Sequence, residues 1–138
     1  MNWKHILGSG ATSGAMIAIL MIVNVISGVT EYGFAVAMLS FLAVILIPPF
    51  LTRKIWEEEF NIELRLSHLI PVSFLTFIIP ILGPAFGGPS MGLEWMILIP
   101  MGAAGGALWS LPFAAWSQFR GGWILFRHQV NLNEISEL

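Results

Sequence analysis

The chain contains neither cysteine nor aspartate among its 138 residues. The lack of cysteine excludes a disulfide framework, a thiol nucleophile and a thiolate metal site. The lack of aspartate excludes a Ser/His/Asp catalytic triad. Two absences therefore remove several of the common catalytic and metal-binding arrangements.

Charge is also scarce. Only 10% of the residues are charged and 57% are hydrophobic, and the mean hydropathy is +0.82. A soluble domain carries roughly 25% charged residues, so this composition predicts an integral membrane protein whose surface is solvated by the lipid bilayer. No stretch resembles a basic arm, which argues against nucleic acid as a partner.

Four stretches reach the length of about 20 mostly apolar residues that a membrane-spanning helix needs. They cover residues 6–29, 32–51, 69–87 and 94–116. We therefore expect one all-α domain over residues 1–138, with four transmembrane helices arranged as two hairpins. Between and after the hairpins lie a loop, 52–68, and a tail, 117–138.

The cationic side chains are distributed unevenly. All six Lys and Arg residues lie before the first stretch, between the second and third, or after the fourth. The positive-inside rule then places the N-terminus, the middle loop and the C-terminus in the cytoplasm. The first stretch is too long for the apolar core of a signal peptide, so we expect it to remain as an uncleaved helix.

The two predicted hairpins share a pattern. Glu31-Tyr32 and Glu94-Trp95 each precede a Pro-Phe pair by eighteen positions, and the two sets are offset by 63 residues. We interpret the four residues as interfacial anchors, with each carboxylate near a helix N-terminus. The offset predicts a parallel internal repeat over residues 5–51 and 68–116. Alternatively, each inward-running helix has acquired the same end signals independently.

Small residues mark two of the predicted spans. Gly10, Gly14 and Gly28 fall near one face of the first helix together with Asn24, and the fourth helix carries Gly102 and Gly106. Such residues let helix backbones approach closely. We predict helix packing through these faces, either within the bundle or against another subunit or a second copy. Asn24 is expected to bond to a neighbouring helix.

The third predicted span is interrupted by Pro80, Gly83 and Pro84. Proline removes a backbone hydrogen bond, so this helix should be broken, with its irregular part facing protein or water. Broken helices line binding sites in transporters. If this protein is a transporter, Ser73 and Thr76 would line the path of its solute. No Lys or Arg lies within a span, which argues against a proton pump.

Two segments on the predicted cytoplasmic side alternate apolar and polar residues, within the loop 52–68 and within the tail 117–138. This pattern favours either a pair of strands or amphipathic helices on the membrane surface. His5, His68 and His128 lie near the same interface. Their spacing matches no metal motif, so we expect solvated histidines, no metal and no cofactor.

The leading hypothesis is a non-catalytic small subunit or assembly factor of a larger membrane protein complex. The alternative is a small oligomeric channel or transporter for a small solute or ion, with the broken third span lining the path. An enzyme has least support. A transporter predicts that Asn24, Ser73 and Thr76 converge on a cavity, whereas a subunit predicts a filled interior and an outward-facing stripe of small residues.

Overall fold

A computed structural model describes residues 2–82 and 93–136, and within them the side chains of residues 2–29, 31–79, 81 and 95–122. Every regular element in this part of the chain is helical, which confirms the all-helical fold class. The four α-helices are α1 (Trp3–Ile26), α2 (Phe34–Phe60), α3 (Leu66–Thr76) and α4 (Leu98–Ser136).

Among the described residues, three helical stretches are long and apolar enough to cross a membrane: Trp3–Ile26, Phe34–Phe60 and Trp95–Gly122. At 1.5 Å per residue, α1 is about 36 Å long, and a bilayer core is about 30 Å thick. The fourth apolar helix, Leu66–Ile79, is shorter and reaches only about 21 Å. The predicted third span covers residues 69–87, and its last part, residues 83–87, lies outside the described residues.

The turn between α1 and α2 depends on two glycines. Gly28 has φ +63° and Gly33 has φ +118°, a region that residues with a Cβ avoid. Between them lies a short 3-10 helix, Val29–Tyr32. Helix α2 begins at Phe34, so Glu31 lies three residues before its first helical residue.

Of the two alternatives for the loop 52–68, the strand does not form. Instead, α2 continues to Phe60, where two ion pairs of i,i+4 spacing support it: Arg53–Glu57 at 2.7 Å and Lys54–Glu58 at 3.8 Å. Asn61, with φ 52°, ends the helix in a left-handed conformation. The alternating apolar residues that follow belong to the irregular linker between α2 and α3.

The tail is helical as well. Residues 117–136 continue α4 without interruption, so the predicted strand pair does not form in the described part of the chain. At 39 residues, α4 is about 58 Å long, well beyond the thickness of a bilayer core. The helical alternative is correct for the secondary structure of the tail.

Helix α1 lies at the centre and packs against α2, α3 and α4. The core forms around Ile17, Ala18 and Met21 of α1, joined by Val44, Ile45, Phe77, Ile81 and Leu98. Ring contacts join His5 to Trp56 and His68 to Phe113. These contacts bring the starts of α1 and α3, the end of α2 and the middle of α4 together.

We call this the charged end of the bundle. It carries all the Lys and Arg residues whose side chains the structure describes: Lys4, Arg53, Lys54, Arg65 and Arg120. The opposite end, which we call the turn end, carries the connection between α1 and α2 with Glu31 and Tyr32.

Candidate functional site: the small and polar residues around helix α1

The closest approach in the bundle is between α1 and α4, where Gly10 and Gly14 meet Gly106 and Gly102. A Cβ atom at Gly14 would overlap the carbonyl oxygen of Gly102, and one at Gly106 would overlap that of Gly10. The two backbones are therefore in direct contact, the arrangement that small residues four positions apart allow. We call these four residues the glycine crossing.

Gly28 is placed differently from the other small residues of α1. It lies in the turn with a left-handed backbone, and a Cβ there would meet only the Glu31 side chain at 3.8 Å. Its role is therefore conformational, because it lets the chain turn after α1.

A pair of buried hydroxyls joins α1 to α3. The Oγ atoms of Ser13 and Ser73 lie 2.7 Å apart, and both residues are 0% exposed. Thr76 Oγ1 donates to the Val72 carbonyl at 2.7 Å, and Ser9 Oγ donates to the Ile6 carbonyl at 3.0 Å. These hydroxyls are thus satisfied within the protein, as a buried polar group requires.

Asn24 bonds to α2 near the turn end. Its Nδ2 donates to Ser40 Oγ at 3.1 Å, and Ser40 Oγ in turn donates to the Ala37 carbonyl at 2.7 Å. Because Ser40 uses its hydrogen on Ala37, it can only accept from Asn24, which fixes the orientation of the amide. Asn24 Oδ1 is left without a partner among the described residues.

Asn24, Ser73 and Thr76 do not form one cluster. Asn24 bonds to α2, whereas Ser73 bonds to α1 and Thr76 to its own helix. Two surface grooves lie between α1 and α4 in the described part of the chain, and neither is lined by any of the three. The convergence on a cavity that a transport path requires is therefore not seen among the described residues.

The third helix breaks at Ile79, whose φ of −135° and ψ of 111° are not helical. An extended conformation is the one that a following proline favours. The Ile79 carbonyl accepts a hydrogen bond from Trp109 Nε1 of α4 at 3.0 Å, so this carbonyl is satisfied at the break, as an apolar environment requires. The Pro80 side chain, Gly83 and Pro84 lie outside the described residues.

The two described histidines have different surroundings. His5 packs its ring against Trp56, with centroids 6.2 Å apart. The expectation of a solvated side chain is wrong for His68, which is only 5% exposed. Its Nδ1 lies 3.1 Å from the Arg65 carbonyl. No group of three metal-binding side chains occurs in residues 2–82 and 93–122. The His128 side chain lies outside the described residues.

The predicted interfacial anchors lie toward the turn end. Tyr32 is 77% exposed and Glu31 is exposed beside it. Trp95 borders an apolar groove of about 320 Å³ between α1 and the start of α4. The Glu94 side chain is outside the described residues.

A larger groove, of about 830 Å³, lies between the same two helices at the charged end. Its lining includes Trp3 and Leu7 of α1, and Leu111, Ala115 and Phe119 of α4. The two grooves lie on either side of the glycine crossing. They arise because helices in backbone contact at one level diverge above and below it.

Two contacts described here involve residues that the sequence hypotheses did not single out. Ser13 could have been recognised, since Ser9 and Ser13 repeat at the same four-residue spacing as Gly10 and Gly14. Trp109 carried no such signal, because its partner is a backbone carbonyl freed by a distant break.

Compared with protein-family models, curated proteins and solved structures, the chain matches none of them.

Proposed function

We propose that the protein is a non-catalytic integral membrane subunit or assembly factor of a larger membrane complex. In this proposal the helices cross the bilayer, and the charged end faces the cytoplasm. All six Lys and Arg lie before the first predicted span, between the second and third, or after the fourth. By the positive-inside rule, both termini then lie on the cytoplasmic side.

The observation that carries the proposal is the internal hydrogen bonding of the hydroxyls that join α1 to α3. Ser13 and Ser73 pair with each other at 2.7 Å, and Thr76 bonds to its own backbone. Both serines and Thr76 are 0% exposed. A path for a solute needs polar groups that face a cavity, and the hydroxyls of Ser13, Ser73 and Thr76 bond within the protein instead. This favours a structural role over transport.

The surface available to a partner is not the one expected from the sequence. The small residues of α1 and α4 contact one another at the glycine crossing, so that stripe does not face outward. Helix α2 instead presents a broad apolar surface, which we call the α2 face. Its exposed members include Leu39, Leu42, Leu46 and Phe50. Under the proposal, lipid or another subunit covers this face.

The test is co-purification with a matched pair of variants. The tagged chain is extracted from its native membrane in mild detergent, and the intact assembly is weighed by mass spectrometry. We expect a partner at fixed stoichiometry. Phe50→Ala on the α2 face should lower its recovery at least about fivefold, the effect of losing roughly 1 kcal/mol or more.

Phe74→Ala is the control, because Phe74 is similarly exposed on α3 at 49%, against 54% for Phe50. Recovery of the partner should be unchanged in this variant. Recovery of the chain alone as a monomer, or equal loss of partner with both variants, would overturn the proposal.

A small oligomeric channel or transporter remains the second candidate. It is favoured by the break at Ile79 and by the unpartnered Asn24 Oδ1, since broken helices and free polar groups serve binding sites in transporters. Purified chain in sealed liposomes should then conduct ions or a small solute, and Asn24→Leu should reduce that flux. Liposomes that stay sealed would exclude this candidate.

A further inference from the structure

We infer that the larger groove, at the charged end, binds a phospholipid with an anionic headgroup. One acyl chain would lie between α1 and α4, and the phosphate would face Lys4. The inference rests on the membrane location proposed above, but not on the existence of a partner subunit.

The shape of the groove suits such a ligand. Its volume of about 830 Å³ lies within the 300–1,000 Å³ typical of small-molecule sites. Leu7, Leu111 and Phe119 supply apolar walls, while Ala114, Ala115 and Gly122 leave space between the helices. Gln118 is the one polar side chain among the lining residues. A flexible hydrocarbon chain matches a surface of this kind.

Two cations next to lining residues of the groove favour an anionic headgroup. Lys4 Nζ lies 5.7 Å from the centroid of the Trp3 ring, and Trp3 is itself a lining residue. Arg120 directly follows the lining residue Phe119, and its guanidinium stacks 5.9 Å from the Trp116 ring. None of the described residues that line the groove carries a carboxylate. Basic pockets between helices on the cytoplasmic side are suited to anionic lipid headgroups.

The smaller groove, at the turn end, provides an internal comparison. It lies between the same two helices and is also apolar, but its volume is about 320 Å³. Neither groove has a Lys or Arg among its described lining residues. The difference is that Lys4 and Arg120 directly follow lining residues of the larger groove, whereas no Lys or Arg is next to a lining residue of the smaller one in the sequence. The two grooves therefore differ in the feature that distinguishes an anionic lipid from any hydrocarbon chain. If a second helix occupied the larger groove, apolar contacts alone would hold it there. The cations beside Trp3 and Phe119 would then have no role, so they favour lipid as the occupant.

The experiment measures lipid retention in bilayer discs that hold equal amounts of phosphatidylglycerol and phosphatidylcholine with identical chains. The chain is released into mild detergent, and the lipids that stay bound are counted by native mass spectrometry. A single cation near the surface contributes about 1 kcal/mol. We expect the protein to retain phosphatidylglycerol at least about fivefold over phosphatidylcholine, the factor to which that energy corresponds.

Two variants probe the two halves of the site. Lys4→Gln should reduce the preference for phosphatidylglycerol about fivefold, and Lys54→Gln is its control, because Lys54 lies at the same end but is paired with Glu58. Ala115→Phe should fill the groove and reduce retention of both lipids. Ala35→Phe on the exposed surface of α2 is its control and should change nothing.

Several results would overturn the inference. These are equal retention of the two lipids by the unaltered chain, equal effects of Lys4→Gln and Lys54→Gln, and unchanged retention in Ala115→Phe. A photoreactive residue at position 111 that crosslinks to protein instead of lipid would show that a helix fills the groove. Recovery of the chain from cells without detergent would contradict the membrane location, and this result is independent of lipid selectivity in the discs.

Discussion

Helices α1 and α2 are both long and apolar, yet they occupy opposite places in the bundle. The most apolar stretch of α2 has the higher mean hydropathy, but only 22% of it is buried, against 44% for α1. In a water-soluble protein the more apolar helix would be expected inside. Here the helix with small and hydroxyl-bearing residues is central, and the one with large aliphatic residues is exposed.

The difference has a simple physical cause if lipid surrounds the bundle. Lipid tails are as apolar as leucine, so burying a leucine against another helix gains little there. What stabilises helix association in lipid is close packing and hydrogen bonding. Gly10 and Gly14 provide the close packing, and Ser13 and Asn24 provide the bonds. The exposed leucines of α2 need no partner within the chain.

The largest effect is expected at the glycine crossing. Gly106→Leu would place a side chain where the Gly10 carbonyl lies, so α1 and α4 must separate. We expect a loss of about 3 kcal/mol or more in the free energy of unfolding, at or beyond the upper end for overpacking. Unfolding by a denaturing detergent, followed by circular dichroism in mild micelles, measures it.

Gly121→Leu is the matched control, because it lies on the same helix with no neighbouring atom within 4 Å of the added Cβ. It should leave stability unchanged or raise it slightly, since glycine is a poor helix former. Equal destabilisation by both variants would contradict a close contact specific to Gly106.

The next effect is expected at the hydroxyl pair. Ser13→Ala leaves the Ser73 hydroxyl without its cross-helix partner, and we expect a loss of about 1.5 kcal/mol. Ser73→Ala should behave alike, and the double variant should lose less than the two single losses combined. The same unfolding assay gives all three values. Strict additivity would show that the two hydroxyls do not interact.

A smaller effect is expected at the helix break. Trp109→Phe removes the N–H that satisfies the Ile79 carbonyl, at a cost of about 1 kcal/mol. Trp116→Phe is the control. Among the described interactions, the Trp116 side chain has a single contact, in which Arg120 lies over the face of its ring. Faster hydrogen exchange at the end of α3 should accompany the first variant and not the second.

The smallest effect is expected on the α2 face. Leu46 is 43% exposed, so Leu46→Ala should change the free energy of unfolding of the isolated chain by less than about 0.5 kcal/mol. The unfolding assay in mild micelles checks this. A loss comparable to that of Ser13→Ala would mean that α2 is packed within the chain, and the contrast between α1 and α2 would then fail.

Much of the fold could be predicted from the sequence, because the length of an apolar run is a direct signal for a helix of that length. For the loop and the tail the sequence left strands and surface helices as alternatives, because a period of two over a few residues does not distinguish a strand from a helix or a linker. In the loop, the ion pairs of Arg53 and Lys54 support the last turns of α2, and the left-handed Asn61 ends that helix.

The site was less predictable. Glycines four apart indicate a close contact but do not identify its partner, and only the structure places Gly14 against Gly102. Asn24 was recognisable because an amide in an apolar helix needs a bond. Trp109 was not, because the position of the break at Ile79 determines which carbonyl needs a donor.

The central claim is that helices of the same chain enclose α1. The chain has no native cysteine, so the double variant Ser13→Cys/Ser73→Cys tests it directly by oxidation in membranes. The hydroxyl oxygens at these positions lie 2.7 Å apart, and we predict a disulfide within one chain that migrates as a monomer. Crosslinked dimers, or two thiols that stay free under oxidation, would contradict the claim.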